Sequence, residues 1–230
     1  MESSIELLAP SALNGIQAII LTETWATKPL NLHNFYAVNC SAEKTVGKGR
    51  PRGGVSVFYR QQIGKIRVRL AEDNCIVIEG DRINILAAYM RPEESTITKL
   101  EKITQYIQLI ENELPTMLVG DFNVRLDKPE KASTITFTEA IADMGFWIVT
   151  DPTIVTFDGP QGKSVIGIFA MRGITCDRVR YIGEKHHMEA GGKFKSHIPL
   201  GVDIWLPSKK TPPLKPRTVV STSILRNLSE

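Results

Sequence analysis

Apolar positions recur in this chain with two periods, one suited to strands and one to helices. Residues 17–22 (QAIILT) form a short apolar run of strand type, preceded by a stretch over 2–16 that predicts a helix, and 35–38 (FYAV) is a further apolar run. Alternation of apolar and polar residues in 55–59 (VSVFY), 65–70 (KIRVRL) and 75–80 (CIVIEG) predicts half-buried strands, and 82–90 (RINILAAYM) continues that series. Ile97, Leu100, Ile103, Ile107, Ile110 and Leu114 then recur at spacings of three and four. They predict a helix over 95–114, with Ser95 as its N-cap and Pro115 as its stop. Residues 116–119 (TMLV) read as a buried strand running into Gly120-Asp121-Phe122-Asn123. A second helix is expected over 133–144, a strand at 147–150, and further strands at 164–170, 176–182 and 201–206. Many strands with few helices among them predict a layered α/β sandwich rather than a doubly wound parallel sheet. One domain is expected over 1–206, followed by a basic, Pro-rich tail or linker over 207–230 that opens with PSKKTPPLKPR.

Composition narrows the class. With 230 residues, 42% hydrophobic and 23% charged, the chain can bury a sizeable core and is not of the disordered type. No apolar run approaches the roughly 18 residues of a membrane span, so no membrane partner is expected. Cys40, Cys75 and Cys176 lie far apart without a CxxC pair, which suits a reducing, intracellular setting and argues against both a disulfide framework and a structural zinc site. The net charge of +3 points to a polyanion only until it is located. Lys209, Lys210, Lys215, Arg217 and Arg226 all fall in the tail against Glu230 alone, so the body is close to neutral. Binding of nucleic acid would need a local cluster.

Three stretches could carry chemistry. In Leu118-Val119-Gly120-Asp121-Phe122-Asn123 an apolar strand ends in an acid and an amide. The carboxylate can orient a water and the amide can donate to a phosphoryl oxygen, although Gly, Asp and Asn equally make an ordinary turn. Leu21-Thr22-Glu23-Thr24-Trp25 ends a second strand in a carboxylate of the kind that ligates Mg²⁺, or that simply begins a helix. His197, in Lys195-Ser196-His197-Ile198-Pro199-Leu200, is placed either as a general base or as a surface loop residue. Arg50 and Arg52, in the loop GKGRPRGG at 47–54, could meet phosphate or be solvated. Trp25 and Trp147 read as core or hinge residues, and His186-His187 point to opposite faces of any strand.

The order and spacing of LTETW at 21–25, GGVSVF at 53–58, AAYMRP at 87–92, LVGDFN at 118–123, TF at 156–157, SVIGIF at 164–169 and SHIPL at 196–200 resemble the endonuclease/exonuclease/phosphatase superfamily. Within it, the likeness is to the endonuclease domain of non-LTR (LINE-type) retrotransposons, over about 12–206. The resemblance implies a four-layered α/β sandwich of two packed mixed sheets flanked by helices. It also implies hydrolysis of phosphodiesters with Mg²⁺ (or Mn²⁺), here the nicking of a DNA target strand by a monomer acting in the nucleus. On this likeness Glu23 is the metal ligand and Tyr89 helps hold the phosphate. Asp121 orients the attacking water, Asn123 contacts the phosphate, and His197 is the active-site histidine. Thr156 and Ser164 line or support the nucleic-acid-binding site alongside Arg50 and Arg52.

The pattern breaks in three places. Gly167 stands where the family has an acid that would orient the histidine, and Ser196 stands where it has an acid near the metal. The family also has a first N-terminal strand bearing an Asn, which this chain is expected to lack, leaving a strand edge unpaired. Asp177 or Glu184 could serve as a substitute acid. Metal affinity and activity are therefore expected to be impaired. The alternatives are a catalytically silent domain that retains only nucleic-acid binding or no function, and a phosphatase of the same fold.

Overall fold

A computed structural model of the chain describes residues 15–44, 49–159, 162–177, 179–181, 197–198, 200–206 and 217–222. Two mixed sheets face one another. The first runs in the order β12 (Thr175–Cys176), β14 (Leu200–Trp205), β15 (Arg217–Thr222), β1 (Ile16–Thr22), β3 (Val55–Tyr59), β2 (Tyr36–Cys40), with β13 (Arg180–Tyr181) also paired to β14. The second runs β4 (Ile66–Glu72), β5 (Cys75–Gly80), β6 (Asn84–Tyr89), β7 (Thr116–Asp121), β11 (Gly167–Arg172), β8 (Trp147–Ile148). A small hairpin of β9 (Phe157–Gly159) and β10 (Gly162–Ser164) stands apart. Only β1 with β15 and β6 with β7 pair in parallel among the described strands.

Side-chain alternation explains why most of these strands read as apolar runs. Ala18 and Ile20 of β1, Val55 and Val57 of β3, Ile85 and Ala87 of β6, Met117 and Val119 of β7, Phe169 and Met171 of β11 and Val202 of β14 fill the gap between the sheets. The intervening Leu86, Ala88, Leu118, Ile168 and Ala170 face outward onto α1 (Thr96–Gln108) and α2 (Ala132–Asp143). A strand covered on both faces has no polar face to show. Each large side chain so buried contributes roughly 1.5–3 kcal/mol against exposure. On the far side, Ile19, Leu21 and Phe58 are covered by Leu32 with Leu30 and Phe35. The helix expected over 2–16 lies outside the described residues except at its end, where β1 begins. No described helix is long and apolar enough to cross a membrane.

Two expectations change. The first helix begins as predicted, with Ser95 Oγ accepting from Thr98 N at 3.1 Å, but it ends at Gln108 rather than near Pro115. Beyond it Asn112 plugs the sheet end, its Oδ1 accepting from Asn84 Nδ2 at 2.7 Å and its Nδ2 donating to Glu79 at 2.9 Å. The buried face of α1 is Lys99, Ile103 and Tyr106, while Ile97 is 65% exposed. The second change concerns the tail. Residues 217–222 form β15 between β1 and β14, so β1 has a neighbour on both sides and the expected unpaired edge is not found there.

Candidate active site

Strand ends from both sheets meet at one rim of the sandwich. Tyr89, Asp121 and Gly167 are in register across β6, β7 and β11, and all three share the parity that faces the gap between the sheets. Glu23 follows β1, and His197 lies three residues ahead of β14. The three expected residues Glu23, Asp121 and His197 come together. His197 Nε2 lies 3.4 Å from Glu23 Oε2 and 3.6 Å from Asp121 Oδ2, and one ligand atom from each of the three lies within 4.8 Å of the others.

The backbone is bent to make this possible. Glu23 and Asn123 both adopt left-handed φ, 51° and 49°, a region that costs non-glycine residues roughly 1–2 kcal/mol. Gly120 is required where it stands: at φ 150° a Cβ there would lie 1.9 Å from Ala88 O on the neighbouring strand. Behind Glu23, Thr24 N donates to Gly54 O at 3.1 Å and Trp25 N to Gly53 O at 2.9 Å, and a Cβ on Gly54 would strike Thr24 Oγ1 at 2.4 Å.

Asp121 is 2% exposed and accepts from Asn123 N through Oδ1 at 2.9 Å. Burial pushes its carboxyl up to about 6, and nearby Glu23 adds to the rise, while His197 and the Asn123 amide oppose it. Asn123 spends one of its two Nδ2 protons on Met90 O at 2.8 Å, and its own carbonyl accepts from Lys99 Nζ at 3.3 Å. Lys99 is itself only 2% exposed, and burial lowers its ammonium despite the attraction of Asp121. The edge of the His197 ring packs against Phe157 at 4.8 Å between centroids.

Thr156 and Ser164 support the site from within rather than touching its surface. Thr156 is 1% exposed, and its Oγ1 accepts from Ile166 N at 2.8 Å and Gly167 N at 2.9 Å. Its carbonyl accepts from Ile198 N at 2.8 Å, tying the histidine segment to the β10–β11 turn. Ser164 is buried as well, with its carbonyl taken by Thr156 N. Both residues thus brace the turns that carry Gly167 and His197. Asp177 does not replace the missing acid at 167. Its amide bonds Asp203 O, three residues along β14 from Leu200 and so about 10 Å up the strand from the histidine end. Lys48, Glu184, His186, His187, Lys195 and Ser196 lie outside the described residues.

A cleft of about 670 Å³ opens beside the cluster, lined by Glu23, Trp25, Arg50, Arg52, Tyr89 and Arg91 among others. The Arg50 guanidinium lies 3.0 Å from the Trp25 ring centre. Trp25 is thus a cleft residue, and Trp147 is 47% exposed, so neither is in the core. Arg91, held by Glu43, escaped the sequence reading, although strand alternation from Tyr89 puts it on the same side. Lys99 escaped because a lysine in an amphipathic stripe reads as the solvated face.

Two carboxylates and an imidazole facing one another suit Mg²⁺ or Mn²⁺, hard cations that take carboxylate oxygen, the latter also accepting imidazole nitrogen. The fit shows in the protein itself. A carboxyl raised to about 6 beside a second carboxylate is what a bound cation would offset.

No family model matches the chain, and no curated protein matches it by sequence. Solved structures do match. The endonuclease domain of TRAS1, a telomere-specific non-LTR retrotransposon, superposes with a TM-score of 0.59 at 15% identity, over 90% of this chain and 95% of that one. The 3′ phosphatase NExo from Neisseria, bound to product DNA hairpin, gives 0.62 at 13% identity, over 85% and 90%. An endonuclease/exonuclease/phosphatase family protein from Leptotrichia buccalis gives 0.57 at 14% identity, over 87% and 92%. The chain shares the fold of these endonuclease/exonuclease/phosphatase structures.

Proposed function

We propose that the chain is a divalent-metal-dependent phosphodiesterase that nicks DNA in the manner of a retrotransposon endonuclease, with turnover reduced by the glycine at 167. The observation that carries this reading is the convergence of Glu23, Asp121 and His197 within 4.8 Å at the strand ends. That the TRAS1 domain is an endonuclease and NExo is bound to a DNA hairpin supports the choice of substrate.

Glu23, with Asp121 beside it, would hold the cation, whose charge would polarise the scissile phosphate and lower the pKa of a bound water. The protein's own groups do the rest. Asp121, buried at the end of β7, accepts a hydrogen bond from the attacking water and draws off its proton. The second Nδ2 proton of Asn123 and the hydroxyl of Tyr89 donate to phosphoryl oxygens. His197, whose Nε2 faces both carboxylates, would complete the cation's ligands at the same rim. Arg50, Arg52 and Arg91 line the cleft in which the flanking backbone would lie, and Trp25 offers a flat surface to a sugar or base.

The test is nicking of supercoiled plasmid with Mg²⁺ or Mn²⁺, with Asp121→Asn as the contamination control. Nicking that survives both chelator and Asp121→Asn would end the proposal. Gly167 favours a second reading, a silent domain that binds DNA without cleaving it; steeply salt-dependent binding with no nicking would establish that one.

A further inference from the structure

The C-terminal strand β15 occupies an unusual place. Glu23 follows β1 and His197 precedes β14, yet β1 and β14 do not pair with each other. β15 lies between them, parallel to β1 with Leu21 opposite Thr222, and antiparallel to β14 with Leu200 opposite Ser221. Its last residues thus sit at the rim where the site assembles. We infer that β15 is the positioning strand of the site: its docking between β1 and β14 sets Glu23 and His197 at the distance that lets them share a cation.

Neighbouring strands lie about 4.8 Å apart, so an intervening strand puts the β1 and β14 backbones about 10 Å apart, a gap that a glutamate and a histidine reaching toward each other can close. Their side-chain atoms meet at 3.4 Å. Without β15 the first sheet divides into β12, β13 and β14 on one side and β1, β3 and β2 on the other. The main-chain groups of β1 and β14 that pair with it would then be buried or exposed without partners. The burial of Ala18, Ile19, Ile20 and Leu21, none more than 4% exposed, is that of a central strand. The connection leading to β15, residues 207–216, carries four prolines, which cannot donate to a ladder. By contrast Asp121 and Tyr89 belong to the second sheet, whose pairing does not involve β15. Loss of β15 should therefore separate Glu23 from His197 and leave the Asp121 side standing.

This inference rests on reading Glu23, Asp121 and His197 as one site, and its tests do not use DNA cleavage. Amide exchange on the unmodified chain comes first, since it needs no variant. Residues 218–222 are expected to exchange as slowly as 18–21; exchange at the rate of free peptide would overturn the inference. Val220→Pro in the full chain should then weaken Mn²⁺ binding at least tenfold and speed exchange in β1 and β14, with β6 and β7 still protected. A synthetic peptide of residues 215–224, added in excess, should restore both. Unaltered Mn²⁺ binding in Val220→Pro would also overturn it. If that variant unfolds throughout, the exchange result on the unmodified chain decides. A chain that passes these tests but never nicks DNA would refute the proposed function and leave the role of β15 intact.

Discussion

Gly167 stands directly opposite Asp121 in the antiparallel pairing of β7 with β11, and a Cβ added to it would meet nothing nearer than 3.5 Å, from Leu200 and Thr156. That is ordinary van der Waals contact. The backbone does not demand glycine there, so the position has room for a carboxylate. Gly167→Asp should fold, add a third acid beside Asp121 and the His197 segment, and raise plasmid nicking. The expected gain is on the order of tenfold to a hundredfold, below the roughly 10⁴ that an orienting acid contributes behind a serine-protease histidine. Nicking no faster than the parent chain in Mn²⁺ would mean that position 167 is not what limits turnover.

Asp121 should make the metal-free protein less stable as pH rises. Unfolded, its carboxyl ionises near the ordinary value of 3.8; folded, burial moves this to about 6. The folded state therefore holds a proton that the unfolded state has released across that window. Stability in chelator falls as pH climbs through it and is level above it. Asp121→Asn removes this fall and should be more stable than the parent at pH 7.5 by roughly 1–3 kcal/mol. Thermal melts in chelator at pH 4.5 and 7.5 check this, and an equal pH response in both proteins would count against it.

Metal binding should show the same group from the other side. A cation must displace the proton that Asp121 holds below about 6. Mn²⁺ affinity, followed by electron paramagnetic resonance, is expected to be flat above neutrality and to weaken about tenfold per pH unit below 6. An affinity that does not change between pH 5 and 7 would remove Asp121 from the ligand set.

Arg50 and Arg91 line the cleft beside Glu23. If each neutralises one phosphate, Arg50→Ala and Arg91→Ala should each weaken DNA binding at low salt and reduce the slope of log affinity against log salt by about one. Fluorescence anisotropy in the Asp121→Asn background, which should bind without cutting, gives both quantities. A slope unchanged in both variants would place the DNA elsewhere.

The turn behind the site has its own acid-sensitive clasp. Asp127 accepts from Arg125 and, through Oδ1, from Val165 N at 2.9 Å, and the Arg125 hydrogen bond holds its carboxyl down to about 2. A depressed carboxyl contributes stability above its unfolded value near 3.8, and that contribution drains away as pH falls toward 2. Asp127→Ala should cost roughly 1–3 kcal/mol at pH 7 and much less at pH 2.5. Urea melts at both values test this; an equal cost at the two would assign the effect to packing instead.

Much of the site was legible along the chain because it sits on strand ends, where the pattern is local. An apolar run ending in Glu23, another ending in Gly120-Asp121-Phe122-Asn123 and a lone His197 before a third carried the chemistry into view, and the order of these runs carried the superfamily likeness. Alternation located most strands, and the stripe on α1 located that helix, though not its end. Other features were decided only in three dimensions. Lys99 and Arg91 took on their roles from packing and from a neighbouring loop, contacts between segments far apart in sequence. The buried hydroxyl of Thr156 became a clasp because two amides of another turn point at it. Residues 217–222 read as part of a tail, since a short segment after several prolines has no period of its own to reveal it. Its strand character comes from hydrogen bonds to β1 and β14, which are made by partners some 200 and 17 residues away and which no local pattern records. Apolar and polar periodicity along the chain could therefore determine which segments form strands and where their acids fall, because those depend on near neighbours. Which strand lies between Glu23 and His197, and hence whether the three groups can meet around one cation, was left to the tertiary structure, because main-chain pairing across a sheet depends on the whole chain having folded.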